Sequence, residues 1–253
     1  MQDDDAPRVA IAAHHISKRF GHVQALRDAS VTVHRGEVVA VLGDNGAGKS
    51  TFLRTLQGLQ KPDTGDIVID DQVVELNGVG HAQRLGVDTV YQDLALAPDL
   101  SVTDNMFLGH EITRGGVLRV LDRKEMKARA DAALRDLSIQ LPSLDVSVRD
   151  LSGGQRQALA VARAVMWSTT AVLMDEPTAA LGARQSEIVC QLMRTVASRG
   201  LGVLVVSHDL PRILAVADRV VILWRGETAL DAPAAGLTVP EVVATMVGYQ
   251  KAS

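Results

Sequence analysis

The chain has 253 residues, 47% of them hydrophobic, enough to bury a full core and too apolar for a disordered segment. A formal net charge of -4 and a pI near 6.0 provide no global attraction to nucleic acid or to an anionic membrane, so any membrane contact is expected to run through a protein partner. One cysteine, Cys190, leaves no internal disulfide and reads as a buried thiol in a reducing compartment; no apolar run reaches the roughly eighteen residues of a membrane span, and the start Met1-Gln2-Asp3-Asp4-Asp5 lacks the layout of a secretion signal, so a cytosolic location is expected.

Residues 9–13 and 31–33 are predicted as short strands flanking a turn at Lys18-Arg19-Phe20-Gly21. On residue type alone, Phe20 suits stacking on a base or a core position about equally. Residues 38–42, rich in valine, are predicted as a buried strand, and residues 51–56 have helical character. Between them lies Gly43-Asp44-Asn45-Gly46-Ala47-Gly48-Lys49-Ser50, a G-x-x-x-x-G-K-S loop in the strand, loop, helix order of a phosphate cradle. Its glycines let successive backbone N–H groups converge on one spot. Lys49 is then expected at the β- and γ-phosphates and Ser50 on Mg²⁺, with the helix N-terminus adding partial positive charge. The competing reading is a glycine-rich turn with a solvated lysine.

Residues 61–65 are predicted as a turn, and 66–70 with 72–74 as a small antiparallel hairpin. Residues 85–91 form a further apolar strand, which leaves Gln92 at a carboxyl end where α/β sheets gather ligand-binding groups. From Leu94 to about Ala164 the pattern turns helical, punctuated by Pro98, Gly109, Gly115, Gly116 and Pro142. Asp122 with Glu125 is a capping-box-like start, after which Met126, Ala130, Ala133, Leu134 and Leu137 recur at helical spacing. That apolar face packs within the helical stretch or is offered to a partner helix.

Leu151-Ser152-Gly153-Gly154-Gln155 opens an alanine-rich helix. Ser152 is either a plain N-cap or, with the bare N–H groups of Gly153 and Gly154, part of a second anion site. Residues 171–174 are a strand leading into Asp175-Glu176-Pro177-Thr178. Two adjacent carboxylates after a buried strand are costly unless a cation or water network uses them. Strand alternation is expected to turn Asp175 to a Mg²⁺ shell and Glu176 to a water at the γ-phosphate, against a solvated acidic turn. Residues 202–206 form a strand delivering Ser207-His208-Asp209, with His208 a candidate γ-phosphate contact or a satisfied structural histidine. Residues 220–223 are expected as the last strand and 240–248 as the last helix; no repeat or low-complexity segment is found.

In this order GDNGAGKST, the strand-end Gln92, LSGGQ, AVLMDEPT and the strand-end His208 span nearly the whole chain, and together they resemble the ATP-binding subunit of an ABC transporter. The resemblance implies an α/β P-loop NTPase (ABC ATPase) fold within one ABC ATP-binding domain. Residues 1–92 and 165–253 would supply a RecA-like core with a small antiparallel β subdomain, and residues 93–164 an inserted α-helical subdomain. ATP and Mg²⁺ are the implied cofactors. Gly43, Asp44, Asn45, Gly46, Ala47, Gly48, Lys49, Ser50 and Thr51 would hold the phosphates, and Ser50, Gln92 and Asp175 the metal. Gln92 would also link metal and attacking water to the transporter interface, Glu176 would be the general base, and His208 would contact the γ-phosphate. Phe20 stands where the family stacks an aromatic, more often tyrosine, on adenine. Ser152, Gly153, Gly154 and Gln155 would cap the ATP of the opposite subunit, so that two copies sandwich two ATP molecules.

A narrower resemblance, carried by Tyr91-Gln92-Asp93-Leu94-Ala95-Leu96-Ala97-Pro98, Leu100-Ser101-Val102, Phe107-Leu108-Gly109-His110-Glu111 and Glu176-Pro177-Thr178-Ala179-Ala180-Leu181-Gly182, is to monosaccharide importers. It implies an ATP-dependent homodimer on the cytoplasmic face of the inner membrane, a separate permease, a periplasmic or extracellular sugar-binding protein upstream, and no nucleic-acid partner. Gly182 stands where most ABC ATPases have aspartate, a departure shared by this branch. Alternatives are an importer of another small solute, a soluble ABC ATPase acting on nucleic acid or ribosomes, which usually carries coiled-coil insertions or two cassettes, and a non-hydrolysing regulator, opposed by the intact Glu176, Gln92 and His208.

Overall fold

Every side chain of β3 (Val38–Leu42) is buried, because the strand lies inside a ten-stranded sheet covered on both faces. In a computed structural model that describes residues 8–115, 120–179 and 181–248, Val38, Ala40 and Leu42 enter one hydrophobic core and Val39 and Val41 the other, as the two-residue period of a strand requires. The readings placed on Met1 to Asp5, Gly116 and Ala180 lie outside the described residues.

The sheet has two parts. β1 (Val9–Phe20), β2 (Val23–His34), β4 (Thr64–Ile69) and β5 (Gln72–Val74) are antiparallel, in the order β5-β4-β1-β2. β6 (Val87–Val90), β9 (Ala171–Asp175), β10 (Gly202–Val206), β3 and β11 (Arg219–Trp224) run parallel, and β12 (Glu227–Pro233) returns antiparallel to β11. A single pairing, Glu227 with Asp28, joins β12 to β2 and so links the two parts. A separate small hairpin pairs β7 (Thr113–Arg114) with β8 (Val120–Leu121).

One face of the parallel strands is covered by α1 (Lys49–Leu56), whose Phe52, Leu53 and Leu56 share a core with Ile11, Ile16 and Leu26 of the antiparallel part and with Ala82 of α2 (Val79–Arg84). The other face is covered by α3 (Val102–Met106), α4 (Arg123–Asp136), α5 (Gly153–Trp167), α6 (Ala183–Ala197), α7 (Leu210–Val216) and α8 (Val239–Met246), all contributing to the second core. Met126, Ala130, Leu134 and Leu137 are buried there, so the apolar face of α4 packs within the molecule. The Asp122 side chain caps that helix by accepting from the Glu125 N–H at 3.1 Å.

Three sequence expectations are corrected. Lys18, Arg19 and Phe20 belong to β1 and the turn is Gly21-His22, because β1 and β2 run twelve residues each through register shifts that break their alternation. Residues 220–223 are not in the last strand, since β12 follows between β2 and β11; its sequence ETALDAP mixes polar and small residues and carries little apolar signal. The helical stretch also contains the β7–β8 hairpin, too short to show a period.

Candidate functional site

Registers of the parallel strands bring four loops to one edge. Val41 pairs with Val206, Val206 with Asp175, and Met174 with Val90. The Gly43 loop after β3, Asp175-Glu176 at the end of β9, Ser207-His208 after β10 and Tyr91-Gln92 after β6 therefore open side by side at carboxyl ends of adjacent strands.

The cradle is built by close approach. Gly43, Gly46 and Gly48 have φ of 153°, 81° and 105°. A Cβ on Gly43 would stand 2.5 Å from the Leu223 carbonyl oxygen, and one on Gly48 2.8 Å from that of Ala25. Lys49 folds back across the loop and donates from Nζ to the carbonyls of Gly43 at 2.7 Å and Asp44 at 3.0 Å. Asp44, Asn45, Gly46 and Ser50 are exposed, while Ala47 is buried. α1 follows its N-cap Gly48 with no side-chain cap and no acidic residue in its first turn, so neither device neutralises the positive pole of the helix. These residues fit a triphosphate.

Asp175 ends β9, but Glu176 has φ 49° and leaves the extended region, so strand alternation does not orient the pair; that expectation is corrected. Left-handed backbone at a non-glycine residue costs on the order of 1–3 kcal/mol and persists where surrounding contacts over-determine it. Here the Glu176 N–H donates to the Val206 carbonyl at 2.9 Å, and Glu176 Oε2 lies 2.7 Å from His208 Nδ1. The Glu176 side chain is 16% exposed and that of His208 72%.

Burial pushes the Asp175 carboxyl above its ordinary range, and the Glu176 charge adds to the rise. Burial pushes the Lys49 ammonium down, against the charges of Glu176, Asp44 and Asp175. Half-buried acids facing one another are a setting that a cation relieves. No cluster of three or more His, Cys, Asp or Glu able to hold a metal occurs among the described residues. Mg²⁺ typically takes one or two carboxylates together with waters and substrate phosphates, a demand that Asp175 beside a bound triphosphate would meet.

Gln92, exposed in the turn after β6, shares with Asp175, Arg54, Tyr91 and Asp93 a cavity of about 570 Å³. Phe20 is 44% exposed near the end of the β1–β2 hairpin, with the Lys18 ammonium 5.9 Å from its ring centre. Ser152 satisfies the N-cap reading: its Oγ accepts from the Gln155 N–H at 3.3 Å, and Gln155 Oε1 accepts from the Ser152 N–H at 2.9 Å. Gly153 is exposed, and Ser152, Gly154 and Gln155 line a different cavity of about 710 Å³ against α6.

The sequence reading missed the turn Trp224-Arg225-Gly226, which supports the cradle from below. The Gly226 N–H donates to the Ala47 carbonyl at 2.9 Å, and the Gly226 carbonyl accepts from the N–H groups of Arg27 at 2.8 Å and Asp28 at 3.2 Å. Its one signal is a glycine two residues after an apolar strand.

A family model described as ABC transporter matches residues 26–179. The chain is 43% identical over 234 residues to the xylose/arabinose import ATP-binding protein of Sulfolobus acidocaldarius, with 92% of each chain covered. It is 41% identical over 246 residues to the fructose import ATP-binding protein of Rhizobium meliloti, with 95% of each covered. Against a ribose import ATP-binding protein of Rubrobacter xylanophilus the identity is 39% over 235 residues, spanning 93% of this chain and 47% of that relative. Among solved structures, a dimeric ATP-binding cassette in a post-hydrolysis state with ADP and Pi matches at TM-score 0.73 and 27% identity, covering 90% of this chain and 100% of that one. Another ATP-binding cassette of an ABC transporter matches in fold at TM-score 0.81 and 23% identity, covering 95% and 99%.

Proposed function

This chain belongs to the ABC transporter family and has the α/β fold of its ATP-binding cassettes, and on that premise we propose that it is the ATPase subunit of a monosaccharide importer, closing as a pair around ATP. The observation that carries this reading is the meeting of Lys49, Asp175, Glu176, His208 and Gln92 at the ends of neighbouring parallel strands. The Gly43–Ser50 loop and Thr51 bind the phosphates, with the Lys49 ammonium leaving its two carbonyl acceptors for phosphate oxygens. Ser50, Asp175 and Gln92 would hold Mg²⁺, which when bound neutralises phosphate charge. Glu176 takes the proton of the attacking water, His208 fixes the Glu176 carboxylate and reaches the γ-phosphate, and Phe20 stacks on the base.

Ser152, Gly153, Gly154 and Gln155 cap the nucleotide of the second copy; they face a cavity away from their own Lys49 loop, which favours a role in trans. Residues 93–164 act as a helical subdomain beside the core formed by 1–92 and 165–253. No helix among the described residues is long and apolar enough to cross a membrane. The reading assigns the sugar path to a permease, with this subunit on its cytoplasmic face and a sugar-binding protein delivering the cargo.

Glu176→Gln tests the core of it. Loss of a general base costs about 10²- to 10⁴-fold in rate, so this variant should bind ATP, hydrolyse it that much more slowly and accumulate as a nucleotide-bound dimer. Hydrolysis at the native rate would refute the role of Glu176. ATP-driven uptake of labelled xylose, fructose or ribose into vesicles holding the permease tests the cargo.

A further inference from the structure

The segment after Gln92 is bent against its own preference. Leu94 and Ala95 are both left-handed, with φ of 63° and 45°, although neither is glycine. Local bonds alone hold little of this: the Leu94 N–H donates to the Tyr91 carbonyl at 2.9 Å and the Ala95 N–H to Asp93 Oδ1 at 3.2 Å. Two further bonds come from another element. Arg163 of α5 donates through Nη1 to the Ala95 carbonyl at 2.6 Å and through Nη2 to the Leu94 carbonyl at 3.0 Å.

Burial pushes the Arg163 guanidinium below the ordinary arginine value, against the charges of Asp88 and Tyr91. A guanidinium desolvated to grip two carbonyls is an expensive choice for mere packing, since its planar fork is what spans two neighbouring acceptors. The same helix begins at Ser152, eleven residues earlier, or roughly 16 Å along its axis.

We propose that Arg163 is the positioning residue for Gln92: its fork holds the Leu94–Ala95 bend, sets Gln92 beside Asp175, and makes any shift of α5 move the Gln92 loop. α5 carries the Ser152-Gly153-Gly154 tip, so the Arg163 fork, together with Leu94 and Leu96 packed on the core that α5 lines, ties that tip to the segment holding Gln92 near Asp175. The inference rests on the proposed function for what Gln92 does, and not for how it is held.

The test is Arg163→Lys, which keeps the charge and loses the two-acceptor fork. Amide hydrogen exchange of residues 92–97 should speed up about tenfold without nucleotide, and kcat should fall five- to tenfold with KM for ATP within about twofold, because the cradle is untouched. Adding Ala95→Gly, at an exposed position that gives up no packing, should bring exchange and kcat at least halfway back to native, because glycine adopts the left-handed bend without steric cost. Unchanged exchange and kcat in Arg163→Lys, or failure of Ala95→Gly to recover them, overturns the proposal. If Arg163→Lys does not fold, Ala95→Gly in the native background decides: an unchanged or higher melting temperature supports a strained bend, and a fall of several degrees overturns it. Gln92→Ala separates the two readings, since native kcat in that variant removes the role of Gln92 while the exchange result still judges Arg163.

Discussion

Asp175 is held at a cost to the fold. Its carboxyl titrates above the ordinary range because burial and the Glu176 charge disfavour the anion, so ionising it as pH rises destabilises the empty protein. Asp175→Asn is therefore expected to raise the melting temperature of the ligand-free chain at neutral pH while abolishing the extra stabilisation that Mg²⁺ adds to ATP; calorimetry with and without EDTA reads both. Lys49→Ala removes the charge-assisted phosphate contact and should weaken ATP binding at least tenfold in an equilibrium titration. Cys190 is 1% exposed, and burial pushes its thiol up to about 11 from 9.0. The fold thus favours the protonated thiol, its contribution is intact below about pH 9, and stability falls as pH rises towards 11. At pH 8 the thiol should resist aromatic disulfide reagents until denaturant is added, and rapid labelling of the native chain would contradict its burial.

At the scale of elements, the phosphate loop is set by what surrounds it as much as by its own residues. Gly226 has φ 82°, and a Cβ there would meet the Ala25 carbonyl oxygen at 2.8 Å and Leu26 Cα at 3.0 Å. Gly226→Ala should cost roughly 1–3 kcal/mol and weaken ATP binding, since the N–H that fixes Ala47 shifts with the turn; unchanged melting would show the turn to be slack. Gly182 differs. Its φ of −68° suits any residue, and what its missing Cβ provides is room, because Gln185 Oε1 lies 2.6 Å from where that atom would be, and the Gln185 Cγ lies 2.7 Å from a Cβ on Gly154. A side chain at 182 would push aside the amide end of the exposed Gln185, which also abuts Gly154 of α5, a packing consequence that the G-for-D departure does not announce.

For the whole molecule, the exposed Ser152, Gly153 and Gly182 lie on a surface that a single chain leaves uncovered. Sedimentation should find the Glu176→Gln variant monomeric without nucleotide, dimeric with Mg²⁺ and ATP, and monomeric again once EDTA removes the metal. A dimer indifferent to nucleotide would argue against ATP as the joint between copies.

The sequence by itself determined the strands of the parallel sheet, the cradle and the identity of each chemical group at the strand ends. Apolar runs, glycine spacing and paired carboxylates are local signals that survive without knowledge of neighbours. Tertiary structure alone decided that Glu176 turns left-handed to meet His208, that Trp224-Arg225-Gly226 braces the cradle and that Arg163 grips the Gln92 loop. Those contacts join residues far apart in the chain, and the last two run through backbone carbonyls, which every residue carries, so no local pattern marks them in advance.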